Sequence, residues 1–124
     1  MKLMHAAVFL LLGLKLANVA NAADKNDNFS IMGYGANSCA TFTEARRHPT
    51  DLEANLYVTW LTGYLTGVNF SVDRTYSIAG ATRMNGLLEW VDNYCASNPT
   101  KDFSHAVIML VDFLYPNRIQ QAPK

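Results

Sequence analysis

Cys39 and Cys95 are the only two cysteines in a chain that opens like an exported one, and together they narrow the folds open to it. The stretch MKLMHAAVFLLLGLKLANVANA gives a positive start at Lys2, an apolar run from Ala6 to Leu14, and the small-x-small sequence Ala20-Asn21-Ala22. That order is that of a secretory signal and its cleavage site, so residues 1–22 are expected to be removed and the product to be periplasmic or secreted. A retained membrane anchor is the alternative; Lys15 argues against it, because the uncharged run falls well short of the roughly 20 residues needed to span. Export places the two thiols where disulfides form and persist, so one Cys39–Cys95 bridge is expected. The chain-entropy model assigns so long a loop about 4 kcal/mol, and Cys39→Ser is expected to lower stability markedly without abolishing any chemistry. A nucleophilic or metal-binding cysteine is the sharper reading, but no further cysteine completes a thiolate site, and neither His48 nor His105 stands at ligand spacing from either one.

Cleavage after Ala22 leaves about 102 residues, enough for one small domain and short for two. It removes Lys2 and Lys15 but no acid, so ten basic residues become eight against ten acidic ones, a net charge of −2. Without a basic patch, a like-charge run or a repeat, the balance argues against nucleic acid as a partner. The expected organisation is a signal at 1–22, a flexible polar leader at 23–32, a helical disulfide-linked domain at 33–117 and a C-terminal tail at 118–124.

Four helices follow from the apolar spacing. Gly33 and Gly35 suggest an irregular lead-in, after which Ser38 or Thr41 caps a short helix to about Arg47, stopped by His48-Pro49. Thr50 and Glu53 have capping-box spacing. Leu52, Leu56, Trp60 or Leu61, Tyr64 or Leu65, and Val68 then recur at three- and four-residue steps, an amphipathic helix of about five turns. Residues 71–82 read as a loop. A third helix runs through NGLLEWVDNYCAS, and Asn98 with Pro99 opens a fourth, whose stripe is Phe103, Ala106, Val107, Leu110 and Leu114. The fold class is all-α, a small four-helix domain with one disulfide. Its expected core holds Leu56, Trp60, Leu61, Leu65, Leu88, Trp90 or Val91, Val107, Leu110 and Leu114.

Gly63 and Gly67 sit inside the second helix, where each glycine costs roughly 1 kcal/mol against alanine. A membrane dimer face, a tight helix crossing and a break in the helix are the three explanations. Once the signal is gone no segment reaches membrane length, and Thr59, Thr62, Tyr64, Thr66 and Asn69 make a poor lipid-facing surface. The expectation is therefore a groove that lets the Trp90 helix approach closely, with Gly67→Leu severely destabilising. A ligand-facing groove is the other use of the same gap.

No residue pattern calls for catalysis. Ser104 and His105 are adjacent on a helix and point apart. His48 stands at a helix end beside the negative dipole, and Asp92 and Asp112 read as solvated helix faces. No phosphate loop, cofactor signature or metal-ligand spacing is visible, so the expectation is a non-enzyme with no metal and no cofactor. Asp73, Arg74, Tyr76 and Arg83, on and beside the long loop, are the candidate partner-binding residues.

The segments SCATFTEARR, YVTWLTGYLTGVN and NGLLEWVDNYCASNP together resemble a family of small exported proteobacterial proteins, mostly uncharacterised. That family's pattern is Ser-Cys-Gly-Thr-Trp, then Trp-x-x-Gly-[Phe/Tyr]-Leu-x-Gly, then Trp-[Ile/Val]-Asp-Asn-Tyr-Cys-x-x-[Asn/His]-Pro; Ala40 and Phe42 depart from it. More remotely, the order of cysteines, helices and turns is similar to that of the HdeA-type periplasmic acid-stress chaperones and of the Rap and Tai immunity proteins. The resemblance implies a non-enzymatic protein acting on unfolded clients or on one protein partner. An acid-activated holdase would loosen as its ten carboxylates and two remaining histidines are protonated. An immunity or inhibitor module would stay rigid and plug one periplasmic effector.

Overall fold

A computed structural model describes residues 23–124, and the signal expected at 1–22 lies outside the described residues. A 3-10 turn at Gly33–Ala36 leads into four helices: α1 (Cys39–Arg46), α2 (Leu52–Ser71), α3 (Met84–Ser97) and α4 (Phe103–Leu114). A second 3-10 turn, Tyr115–Asn117, follows α4. The described chain is thus the all-α, four-helix domain expected, with Cys39 bonded to Cys95 across a sequence separation of 56.

Helix starts decide how the chain closes on itself. The Ser38 hydroxyl accepts from the Thr41 amide at 3.1 Å and caps α1, as its side-chain chemistry favours. Two further amides at that end, Cys39 and Ala40, donate to the Lys101 and Pro99 carbonyls at 2.7 and 3.0 Å. This arrangement corrects the expected start of α4. The Asn98 side chain is drawn back to the Tyr94 carbonyl at 2.9 Å, closing α3, and the 99–101 carbonyls serve α1. So Asp102, in extended backbone, precedes α4, and Phe103 is its first residue. Likewise Asp51, not Thr50, precedes α2, and its side chain makes no capping bond.

α2 runs unbroken for 20 residues through both glycines. Its polar face is satisfied locally, since the Thr59, Thr62, Thr66 and Ser71 hydroxyls donate to carbonyls three or four residues back. α2 packs on the Gly33–Ala36 turn and on α1, whereas α3 packs on α1 and α4. The expected crossing at Gly63 and Gly67 is therefore overturned: both glycines are exposed, and a Cβ at either would meet nothing within 4 Å. α3 is not seated there because the bridge ties its end to the start of α1, away from that face.

The correction reverses the expected effect of substitution. With room for a side chain and a helix around it, Gly67→Ala is expected to stabilise by about 0.5–1 kcal/mol, raising the thermal midpoint by several degrees. Gly67→Leu is expected to leave the midpoint near that of the parent, and a steep fall in either would restore the close-crossing explanation.

The core is aromatic at one end and aliphatic at the other. Phe42, Tyr57 and Phe103 are fully buried, with ring centroids 4.7 to 5.2 Å apart. Such a cluster adds edge-to-face attraction to the burial of its area. The Tyr57 hydroxyl accepts from Asn37 Nδ2 at 2.9 Å, so its polar tip is paired. Leu61, Leu65, Leu88, Val91, Val107, Leu110 and Leu114 are buried as expected. Leu56 and Trp60 are only half-buried, because Tyr57 takes the inward position on that turn. Trp90 lies partly outside, stacked on Tyr94 at 5.6 Å.

The α2–α3 connection contributes more than a loop was expected to. Ile78 is fully buried, its amide held by Asn69 Oδ1 at 2.7 Å. Ser77 forms an isolated antiparallel bridge with Ile119, and Arg118 donates to the Thr75 hydroxyl at 3.1 Å. The chain remains hydrogen-bonded to this connection as far as Ile119.

Candidate functional site

Tyr57 and Trp60 of α2 meet Phe103 of α4 ring to ring, and a groove opens beside Trp60 between the two helices. The leader residues Phe29 to Met32 line one side of that groove, Thr59, Trp60, Gly63 and Tyr64 of α2 another, and Ser104 and Ile108 of α4 complete it. The groove measures about 420 Å³, within the range of small-ligand sites. A shallower hollow of about 340 Å³ follows along α2 over Gly67.

Each wall has a local cause. Trp60 Nε1–H donates to the Met32 carbonyl at 2.7 Å, pinning the end of the leader to α2. Beneath the indole lies Gly35, where a Cβ would fall inside the Trp60 ring, so this glycine and not Gly63 or Gly67 serves a close approach. Trp60 stacks on Tyr64 at 5.4 Å, giving the α2 wall two ring surfaces. Gly63 supplies the space: with no side chain, it leaves the mouth open between them.

The lining of the groove is uncharged, with no acidic or basic side chain. The Tyr64 hydroxyl is held in its protonated form, above its ordinary pKa, first by burial and then by the negative charge of Asp112. Ser104 is 2 % exposed and lines the groove, and its Oγ has no hydrogen-bond partner in the protein. A buried hydroxyl left unpaired is unfavourable, and native domains contain few. At the rim, Phe29 is 61 % and Met32 79 % exposed, so an apolar edge extends beyond the hollow.

The residues expected to bind a partner lie elsewhere. Asp73 and Arg74 form an exposed ion pair at 3.6 Å, with Arg74 in left-handed backbone at φ 48°. Tyr76 is exposed while its amide donates to the Ile119 carbonyl, and Arg83 precedes α3. The four share one solvent-facing connection, but none lines the groove. His105 is half-buried, its ring 6.0 Å from Tyr94, and His48 is exposed. Among the described residues no group of three or more His, Cys, Asp or Glu side chains could hold a metal ion, and no helix is long and apolar enough to cross a membrane.

Sequence reasoning missed the groove because its decisive parts carry no periodic signal. Gly35 and Met32 precede the first helix, and Ser104 sits inside a stripe that reads as core. The one available hint was the ligand-facing use of the gap at Gly63. Compared with known proteins, the chain matches no family model, no curated protein and no solved structure.

Proposed function

We propose that this chain is an exported, non-catalytic binding module that presents a preformed face to one specific protein partner, in the manner of an immunity or inhibitor protein. The observation that carries this reading is the open apolar groove between the leader, α2 and α4, with its exposed rim at Phe29 and Met32. Exposed apolar surface around a concave centre is the usual mark of a docking face. The disulfide supports an oxidising compartment, periplasmic or secreted, and braces the domain that carries the groove.

The two functions suggested by the remote resemblance place opposite demands on the fold. A holdase must come apart in acid, through carboxylates that hold the native state together. Among the described residues one ion pair, Arg46–Asp92, joins two helices, and the others are local to their own segments. Asp24 is held below its ordinary pKa by the Asn28 and Asn26 amides, but it lies fully exposed in the leader. Because its folded pKa is depressed, its contribution is present above the usual aspartate range and lost as pH falls through the lowered value, which frees only a leader turn. Asp92 accepts two part-buried bonds from Arg46 at 2.9 Å between α1 and α3. The remaining hold on the fold is apolar packing, hydrogen bonds such as Asn37–Tyr57 and Asn69–Ile78, and a covalent bond, none of which depends on a carboxylate.

The expected outcome is that the oxidised chain keeps its near-UV circular dichroism at pH 3 and gives no protection against client-protein aggregation at either pH 3 or pH 7. Protection appearing only in acid, with loss of tertiary signal and binding of an apolar dye, would replace the module by the holdase.

A further inference from the structure

We propose that Asn85 and Gly86 form a self-modifying site, at which the Gly86 backbone nitrogen displaces ammonia from the Asn85 side chain and water then leaves an aspartate or an isoaspartate in its place. The site is independent of the groove and of whatever the groove binds. Asn85 is the only asparagine in the chain followed by glycine, the one residue with no side chain to shield its amide from the neighbouring carbonyl carbon. Three features of the fold leave this pair reactive. First, Asn85 is exposed, whereas the side chains of Asn37, Asn55, Asn69 and Asn98 are each held by a hydrogen bond. Second, the attacking nitrogen is unengaged. Gly86 is the third residue of α3, so its amide precedes the first helical bond, from the Leu87 amide to the Arg83 carbonyl at 3.1 Å, and among the described residues it has no acceptor. Third, this helix start is uncapped: Arg83 stands at the capping position with no acceptor to offer, and the first turn carries no acidic residue. In α1 the corresponding amide, that of Thr41, is held by the Ser38 hydroxyl.

Helical backbone keeps the Asn85 side-chain carbon away from the next nitrogen, so the reaction passes through opening of the first turn. Leu87 and Leu88 are buried and hold the helix beyond it, which confines the opening to that turn. The bond from the Gly86 nitrogen to Asn85 Cγ forms as the Cγ–Nδ2 bond breaks, the amide proton leaves with ammonia, and the closed imide takes up a water. Hydrolysis on the Cγ side restores the backbone with an aspartate; hydrolysis on the other side routes the chain through Cγ as an isoaspartate. The aspartate suits its place, because a negative charge in the first turn meets the positive end of the helix dipole. The uncapped start that admits the reaction therefore favours one of its products.

The experiment is peptide mapping by mass spectrometry of the full oxidised chain during prolonged incubation in mildly alkaline buffer, with isoaspartate counted by a methyltransferase specific for it. The Asn85 peptide is expected to convert ahead of every other asparagine peptide and to give both products. Arg83→Ser offers Gly86 the acceptor that Ser38 gives Thr41 and is expected to slow the conversion about fivefold. This variant is a cleaner probe than Gly86→Ala, whose added Cβ would lie 3.1 Å from Thr82 Cγ2. Asn85→Gln is expected to abolish the conversion, and Asn85→Asp to hold the thermal midpoint at or slightly above that of the parent. Conversion at another asparagine ahead of Asn85, a product free of isoaspartate, or a rate unchanged by Arg83→Ser would each overturn the site.

Discussion

Reduction of the Cys39–Cys95 bridge is expected to lower the unfolding free energy by about 4 kcal/mol, the chain-entropy value for a loop of this length. For a domain of this size that corresponds to a fall in thermal midpoint on the order of 15–30 °C. The bridge joins the first residue of α1 to the last turn of α3, and both cysteines are fully buried. Its surroundings already favour closure, since the 99–101 turn holds the first amides of α1. Loss of the covalent link would therefore fall chiefly on the unfolded chain, which gains the freedom the loop had denied it. Cys39→Ser under oxidising conditions and the parent chain under reducing conditions should give the same midpoint. A midpoint that does not move on reduction would show that the bridge adds nothing to this fold.

Phe103→Ala is expected to cost about 3–5 kcal/mol, the range for deleting a buried aromatic ring. Phe103 touches more of the structure than any periodic pattern conveys. Its ring lies 4.7 Å from Phe42 of α1, 4.9 Å from Tyr57 and 5.7 Å from Trp60, both of α2. Its amide donates to the Asn37 carbonyl at 2.8 Å, so the residue also fixes the start of α4 against the chain ahead of α1. Removing the ring leaves a cavity where three helices meet, and the backbone bond keeps the walls from closing over it. Phe103→Leu fills most of that volume and is expected to cost less than about 1.5 kcal/mol. Denaturant unfolding of the two variants measures both; equal and small losses would mean that the cluster repacks freely and does not join α2 to α4.

The contrast between these two sites and the glycines marks what the sequence made legible. Helix number, the stripe from Val107 to Leu114 and the cysteine pair could be read directly, and the α1 cap was narrowed to Ser38 or Thr41, because periodicity and capping chemistry act through neighbours in the chain. The start of α4 could not. It is set by the demand of α1's amides for the 99–101 carbonyls, a partnership between segments 60 residues apart. Trp60 and Tyr57 compete for one inward position, and only the geometry of the aromatic cluster decides between them. Gly63 and Gly67 signalled a missing side chain, but a missing side chain serves an open surface as well as a tight crossing. Which it serves depends on where α3 is tied, and the bridge ties it elsewhere. The groove follows from the same cause, with Gly35 beneath Trp60 and Met32 holding the indole as its supports. Neither lies in a segment with a repeating pattern.

The proposed binding face is expected to stand ready in a fold that acid does not open. Hydrogen exchange of the Trp60 indole and of the Cys39 and Phe103 amides tests it most directly. The first reports the leader on α2, and the other two report the closure between the start of α1 and the start of α4. All three are expected to remain protected at pH 7 and at pH 3 once intrinsic exchange rates are allowed for. Loss of protection at pH 3 with the disulfide intact would contradict the account, because the face would then be assembled and dismantled by acid.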